Sequence, residues 1–268
     1  MIIVRVVASF KFVVIIGMRY YFFFIAFLLL FSSCAESLVV QSTGVLQNAA
    51  RVHHLKNGDR EMIYIPMRHL GKRNYYDYIQ RKVDSLQQEG FIVFYETIAY
   101  QVDSAQQRDL YDRKFRKLVG HAVGSTKTYE KKSDTTKILM APIYKNLGSR
   151  IIPQPEYSFF KVDYNTAVVA DIPKNVLLDE FEYTYGDIVL EPCDWNTPLN
   201  EPYGCKAIKG KLKGIFDRDF IMKRREENLA ALVADAGQKK ILIMFGAAHY
   251  KGFRKHLQER DPNWKIVK

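Results

Sequence analysis

The stretch Ile241-Leu-Ile-Met-Phe-Gly246-Ala-Ala-His249-Tyr-Lys-Gly252 gives the clearest indication of the fold of this chain. Five apolar residues with the length of a buried strand run into a glycine, and residues 253–258 predict a helix. His249 therefore lies just beyond the C-terminal end of a strand. Open α/β sheets bind their ligands at that edge, so His249 is a candidate site residue.

A second histidine, His69, follows an apolar run in Glu61-Met-Ile-Tyr-Ile-Pro-Met-Arg-His69-Leu-Gly71. The chain around it predicts a strand, an amphipathic helix and a second strand, at residues 62–66, 74–89 and 91–95. The second strand ends at Glu96. A strand–helix–strand unit of this length joins parallel strands, whose C-terminal ends share one edge. We therefore expect His69 and Glu96 to be neighbours.

The remaining pattern completes an α/β fold. It predicts helices at residues 103–118, 173–183 and 217–236, and strands at residues 166–170, 187–190 and 263–268, the last of them an edge strand. We expect residues 58–268 to form a single domain, with a central, mixed but largely parallel sheet flanked by helices. Residues 34–57 are expected to be a tether followed by the first strand.

An arginine interrupts the apolar face of the predicted helix at residues 217–236. Arg225 is four residues from both Ile221 and Leu229, in the middle of that face. An arginine in this position either extends to solvent or pairs with a carboxylate at the edge of the core. A salt bridge to Glu96 or Asp171 and a contact with substrate both remain open.

These residue types are compatible with a metal centre. Two neutral imidazoles and one carboxylate are a common ligand set for a divalent catalytic metal that keeps one position open for water. Glu96 follows five apolar residues, and a buried carboxylate needs an arginine, a metal or both as partner. A strand-end histidine held by an ordinary hydrogen bond is the alternative for His69 and His249. The chain has no Gly-x-Ser-x-Gly elbow, phosphate-binding glycine loop or His-Glu-x-x-His motif, which argues against a serine hydrolase, an NTPase and an ordinary zincin.

The N-terminal segment has the features of a secretion signal. Residues 21–30 are apolar, and they run into Leu30-Phe-Ser-Ser-Cys34, which resembles a bacterial lipobox. We expect residues 1–33 to be a lipoprotein signal peptide, with translation starting at Met1 or Met18 and lipid attached to Cys34. An uncleaved membrane anchor is the alternative. Either interpretation places the rest of the chain outside the cytoplasm, in a bacterial cell envelope.

Charge and cysteine content narrow the expected partners. The net charge of +11 comes without an arginine-rich run or an aromatic RNA-binding motif, so we expect anionic lipid or an acidic substrate rather than nucleic acid. Cys193 and Cys205 bracket an irregular loop, for which the sequence leaves a disulfide and two free thiols as alternatives. A metal site there is less favoured, because no CxxC motif or neighbouring histidine accompanies them.

Four of these features together resemble the TraB/GumN-type family, which is related to the Tiki membrane proteases and, more distantly, to erythromycin esterases. That family has two Gly-x-x-His passages, a strand-end glutamate between them, and an arginine on the helix before the second histidine. The corresponding features here are Pro66-Met-Arg-His69, Glu96, Arg225-Glu-Glu-Asn-Leu-Ala230 and Gly246-Ala-Ala-His249. The first passage departs from the pattern, since Pro66 stands where glycine is usual.

The resemblance implies a fold with two related halves, each supplying one strand-end histidine, and a metal-dependent hydrolase that is most readily a peptidase. His69 and His249 would hold manganese, cobalt or zinc. Glu96 would be a third ligand or the general base, and Arg225 would stabilise the oxyanion or orient Glu96. Two alternatives stay open. One is a non-enzymatic envelope protein that binds a ligand in a decayed site, and the other is an ester hydrolase that needs no metal.

Overall fold

The computed structural model describes residues 43–97, 99–121, 147 and 150–267, and contains a six-stranded sheet with helices on both faces. The strands are β1 (His53–Asn57), β2 (Arg60–Met67), β4 (Ile92–Tyr95), β6 (Val168–Val169), β7 (Lys240–Gly246) and β8 (Lys265–Ile266), in the order β6-β4-β7-β2-β1-β8. The first four strands of that order are parallel, and β1 pairs antiparallel with both its neighbours. This confirms the predicted α/β class and mixed, largely parallel sheet. A separate two-stranded sheet pairs β3 (Leu70–Gly71) with β5 (Ile152–Pro153).

The helices follow the predicted order. They are α1 (Arg73–Gln88), α2 (Ala105–Val119), α3 (Lys174–Tyr185), α4 (Pro192–Asn196), α5 (Gly210–Ile215), α6 (Arg225–Asp235) and α7 (Tyr250–Arg260). A π-helix, Phe216–Arg224, joins α5 to α6, so the single helix predicted at residues 217–236 is the end of a longer and less regular one. Short 3₁₀ turns occur at Tyr157–Phe160 and Ala247–His249.

Strand β7 lies at the centre of the sheet and explains how the core is built. Its residues from Ile241 to Phe245 are fully buried. A continuous apolar run of this kind is typical of a parallel strand covered on both faces. One face packs against α1, and the other packs against α6 and α7.

The strand–helix–strand unit at the start of the domain is present as β2, α1 and β4. The two strands are parallel as expected, but β7 lies between them, paired with β2 on one side and β4 on the other. The strands that lead to His69 and His249 are therefore direct neighbours, and Met67 pairs with Gly246 at their C-terminal ends.

Two predicted strands differ from the structure. Residues 187–190 form no strand; Ile188 is buried, and its N–H donates to Glu182 Oε1 instead of to a neighbouring strand. The strand predicted at residues 166–170 is reduced to Val168–Val169, because Asp163 accepts hydrogen bonds from Asn165 and Thr166 and turns the chain before it. The predicted C-terminal edge strand is confirmed as β8.

The loop bracketed by the two cysteines is closed by a disulfide between Cys193 and Cys205. It is less irregular than the sequence indicates, since it contains α4. The fully buried Arg116 donates to the carbonyl oxygens of Asp194, Thr197 and Pro198, which ties the loop to α2. The predicted signal peptide and Cys34 lie outside the described residues. Within the described part of the chain, no helix is long and apolar enough to span a membrane.

Candidate functional site

Arg225 is the centre of a buried polar cluster at the C-terminal edge of the sheet. Its Nε and Nη2 donate to the two oxygens of Asp171 at 2.8 and 2.6 Å, and Nη2 also donates to Glu96 Oε1 at 2.5 Å. Its side chain is 14% exposed, and its guanidinium lies over the ring of Phe245. Of the alternatives that the sequence leaves open for Arg225, the structure shows the pairing with a carboxylate, and the partners are Glu96 and Asp171 together. Arg225 is the first residue after the π-helix, a helix type that often occurs next to functional sites.

Glu96 lies directly after β4 and is held by the end of β7. Its backbone N–H donates to the carbonyl oxygen of Met244 at 3.0 Å, and its Oε2 accepts the N–H of Gly246 at 2.6 Å. A Cβ atom at Gly246 would lie 3.2 Å from both Glu96 Oε2 and His249 Cδ2. Glycine at this position therefore leaves room for the carboxylate and the imidazole to meet at the strand end.

Asp171 is a site residue that sequence reasoning left in the background. It lies two residues after β6, near the same edge at which Glu96 follows β4, and this strand-end position is the signal that could have selected it. Burial raises the pKa of its carboxyl group, and the hydrogen bonds and charge of Arg225 oppose that rise. Only 6% of its side chain is exposed, so Asp171 depends on Arg225 for its charge balance.

His249 ends the short turn after β7, and only 5% of its surface is exposed. Its Nε2 lies 3.2 Å from Arg225 Nη1, and its Nδ1 lies 3.4 Å from Glu226 Oε1. Burial lowers the pKa of the imidazole to about 4, and the positive charge of Arg225 adds to this effect. Because a guanidinium can only donate, the neutral ring accepts at Nε2 and carries its proton on Nδ1.

His69 lies between β2 and β3, and its side chain is exposed. Its carbonyl oxygen accepts the N–H of Gln154 at 2.8 Å, which fixes the backbone at the mouth of the site. Its charge makes a smaller contribution to the lowered pKa of His249, so the two imidazoles lie within electrostatic range of each other. The structure thus joins Glu96, Arg225 and His249 through hydrogen bonds and leaves the side chain of His69 exposed.

Two tyrosines that sequence reasoning missed adjoin the cluster. The hydroxyl of Tyr64 donates to the carbonyl oxygen of Gly246 at 2.8 Å. The hydroxyl of Tyr157 donates to the carbonyl oxygen of Met244 at 3.5 Å. Burial raises the pKa of both phenols well above the ordinary value, and the charge of Glu96 adds to the rise. Both tyrosines therefore stay protonated beside Glu96. Neither has a motif that could have singled it out.

Whether a divalent metal ion can bind here depends on the contacts that the predicted ligands already make. Arg225 donates to Glu96 Oε1 and lies against His249 Nε2, while Gly246 occupies Glu96 Oε2. A divalent cation at these atoms would meet the fixed positive charge of the guanidinium. Among the described residues, no three His, Cys, Asp or Glu side chains are grouped to hold a metal ion. In this arrangement Arg225 and Gly246 occupy the atoms that a metal ion would need, and metal binding by His69, Glu96 and His249 stays a prediction.

Comparison of the chain with family models, with curated proteins and with solved structures finds no match. The resemblance to the TraB/GumN-type family therefore rests on the four sequence features alone. What the site does has to be argued from its own geometry.

Proposed function

We propose that this protein is a hydrolase, with its reaction at the C-terminal edge of β4 and β7. One observation carries the proposal: a buried, uncharged imidazole lies 3.2 Å from a guanidinium that two carboxylates hold in place. These two atoms contact each other directly, so a water molecule would have to replace the contact through a small movement of the imidazole. It would then meet an acceptor, His249 Nε2, on one side and a donor, Arg225 Nη1, on the other. Such a site orients water without a cofactor.

The reaction uses each group in its existing protonation state. As the water oxygen attacks a carbonyl carbon, its proton passes to His249 Nε2. Negative charge then develops on the carbonyl oxygen, and Arg225 stabilises it by donating from Nη1. The proton on Nε2 passes to the leaving group as the carbon–oxygen or carbon–nitrogen bond breaks. Glu96 and Asp171 keep the guanidinium in position, so little reorganisation is needed in the transition state.

The substrate class follows from this chemistry and from the resemblance. We propose an ester hydrolase that needs no metal, like the erythromycin esterases, which rely on a similar set of histidine, glutamate and arginine. The second candidate is the metal-dependent peptidase implied by the Tiki-like relatives. One observation favours this peptidase. A histidine binds a metal ion as a neutral imidazole, and burial lowers the pKa of His249 so that its ring is neutral.

An assay with and without chelator decides between these candidates. Purified full-length protein in detergent is offered a panel of carboxylic esters and peptides, and bound manganese, cobalt and zinc are measured by elemental analysis. We expect ester hydrolysis that is unchanged by chelator, with far less than one metal per chain. Peptide hydrolysis that is lost with chelator, together with about one metal per chain, would favour the second candidate. Hydrolysis of neither class would favour a non-enzymatic binding protein.

We further propose that the protein resides in a bacterial cell envelope and is anchored by lipid on Cys34. The disulfide between Cys193 and Cys205 supports this location, because such bonds persist in oxidising compartments. Mass spectrometry of protein from cells alkylated before lysis is expected to find both cysteines protected and the N-terminal peptide acylated at Cys34. Alkylated Cys193 and Cys205 would contradict the location, and an unmodified Cys34 would contradict the anchor.

A further inference from the structure

The far side of His249 carries a third buried carboxylate, in addition to Glu96 and Asp171. Glu226 follows Arg225 in α6, and its Oε1 lies 3.4 Å from the Nδ1 of His249. Its side chain is 9% exposed. The Nδ1 atom of His249 is itself fully buried and has no hydrogen-bond partner. A buried donor that needs a partner therefore faces a carboxylate oxygen across a distance only a few tenths of an ångström longer than a hydrogen bond.

A glycine in the next helix provides the space for this carboxylate. A Cβ atom at Gly252 in α7 would lie 1.9 Å from Glu226 Oε2 and 2.3 Å from Glu226 Cδ. Glycine inside a helix is less favourable than alanine. Here it allows the carboxylate of Glu226 to lie against the backbone of α7, beside His249.

We infer that Glu226 is a positioning residue, which accepts the Nδ1 proton of His249 and so keeps the Nε2 lone pair directed at Arg225 and the substrate. A carboxylate or carbonyl behind a working imidazole fixes its tautomer and its ring orientation. Glu226 and Arg225 then act on opposite nitrogens of one ring, the first as acceptor and the second as donor. The effect on catalysis rests on the proposed function, whereas the effect on the ring does not.

The state of the ring can be read by nitrogen NMR of protein labelled with ¹⁵N-histidine, at a fixed neutral pH. His249 is assigned by its loss in a His249→Asn spectrum. In the native protein we expect protonated Nδ1 and bare Nε2. The Glu226→Leu variant removes the acceptor, and replacing a buried charge by an apolar side chain of similar size leaves the fold intact. We expect its ring nitrogens to move toward the averaged values of mixed tautomers.

Two further variants separate positioning from a general loss of structure. Glu226→Gln retains an oxygen at the same reach and should restore most of the native pattern. Gly252→Ala displaces the flexible carboxylate with its new Cβ and should reproduce the Glu226→Leu spectrum in a folded protein. The matched controls are Glu227→Leu, whose carboxylate is 37% exposed, and Gly214→Ala, where a Cβ has nothing within 4 Å. Both controls should leave the signals of His249 unchanged.

The outcomes for this inference and for the proposed function are distinguishable. Native-like signals of His249 in Glu226→Leu, or a native ring protonated on Nε2, would overturn the positioning role whether or not hydrolysis is found. If ester hydrolysis is found, Glu226→Leu should lower kcat/KM by about 10- to 100-fold, with partial recovery in Glu226→Gln. Failure to find a hydrolysed substrate would leave the NMR result standing and contradict only the catalytic consequence.

Discussion

Replacing Arg225 with leucine is expected to lower the free energy of unfolding by about 3–5 kcal/mol. The loss arises because Glu96 and Asp171 would remain with 17% and 6% of their side chains exposed and no cation between them. Two uncompensated carboxylates in a buried site repel each other and lack the water that would solvate them. Urea unfolding followed by circular dichroism measures the change.

The neighbouring arginine provides a matched control. Arg224 pairs with Glu180, but 40% and 36% of these side chains are exposed. Loss of an exposed pair of this kind costs about 0–1 kcal/mol, so Arg224→Leu should unfold close to the native midpoint. Adding Asp171→Asn to Arg225→Leu removes one of the stranded charges and should recover part of the loss. Equal destabilisation by Arg224→Leu and Arg225→Leu would contradict the role given to Arg225.

The periodic pattern of apolar residues in helices and strands predicts one part of the site well. Helix phase places Arg225 on the apolar face of its helix, where an arginine either extends to solvent or pairs with a carboxylate, and the structure shows the pair. Strand ends identify Glu96 and His249, since apolar runs stop where the chain leaves the sheet. The prediction that these residues meet at one edge stays correct although β7 lies between β2 and β4, because parallel strands end at the same edge of the sheet.

The parts that the sequence does not predict depend on packing between distant segments. Glu226 lies behind His249 because α6 and α7 pack closely enough for a carboxylate to rest against Gly252. In the sequence, this packing is visible only as Gly252, one residue before the predicted helix. The exposed position of His69 is likewise set by the two-stranded sheet of β3 and β5, whose pairing no periodicity reveals. The predicted metal centre assumed that both histidines face inward, and the structure places only His249 there.

The second large effect concerns catalysis. Replacing His249 with asparagine is expected to lower kcat/KM for ester hydrolysis by about 10²- to 10⁴-fold, because in the proposed mechanism Nε2 takes the proton from water. Asparagine is uncharged and smaller than imidazole, so it introduces no buried charge beside Arg225 and the variant should remain folded. His54→Asn on β1 is the matched control. Its imidazole pairs with Glu61 away from this cluster, and its activity should match the native enzyme.

The pH profile provides an independent check on the same residue. Burial and Arg225 lower the pKa of His249 to about 4, from an ordinary value near 6.5. A base must be deprotonated to act, so activity should persist as the pH falls through 6.5 and should be lost only as it approaches 4. The pH dependence of kcat/KM reports the pKa values of the protein without bound substrate, and in that state the ring of His249 is buried. Suppose instead that activity is lost near pH 6.5 and that this loss is absent in His249→Asn. The imidazole of His249 would then be exposed to water, which contradicts the buried base on which the mechanism depends.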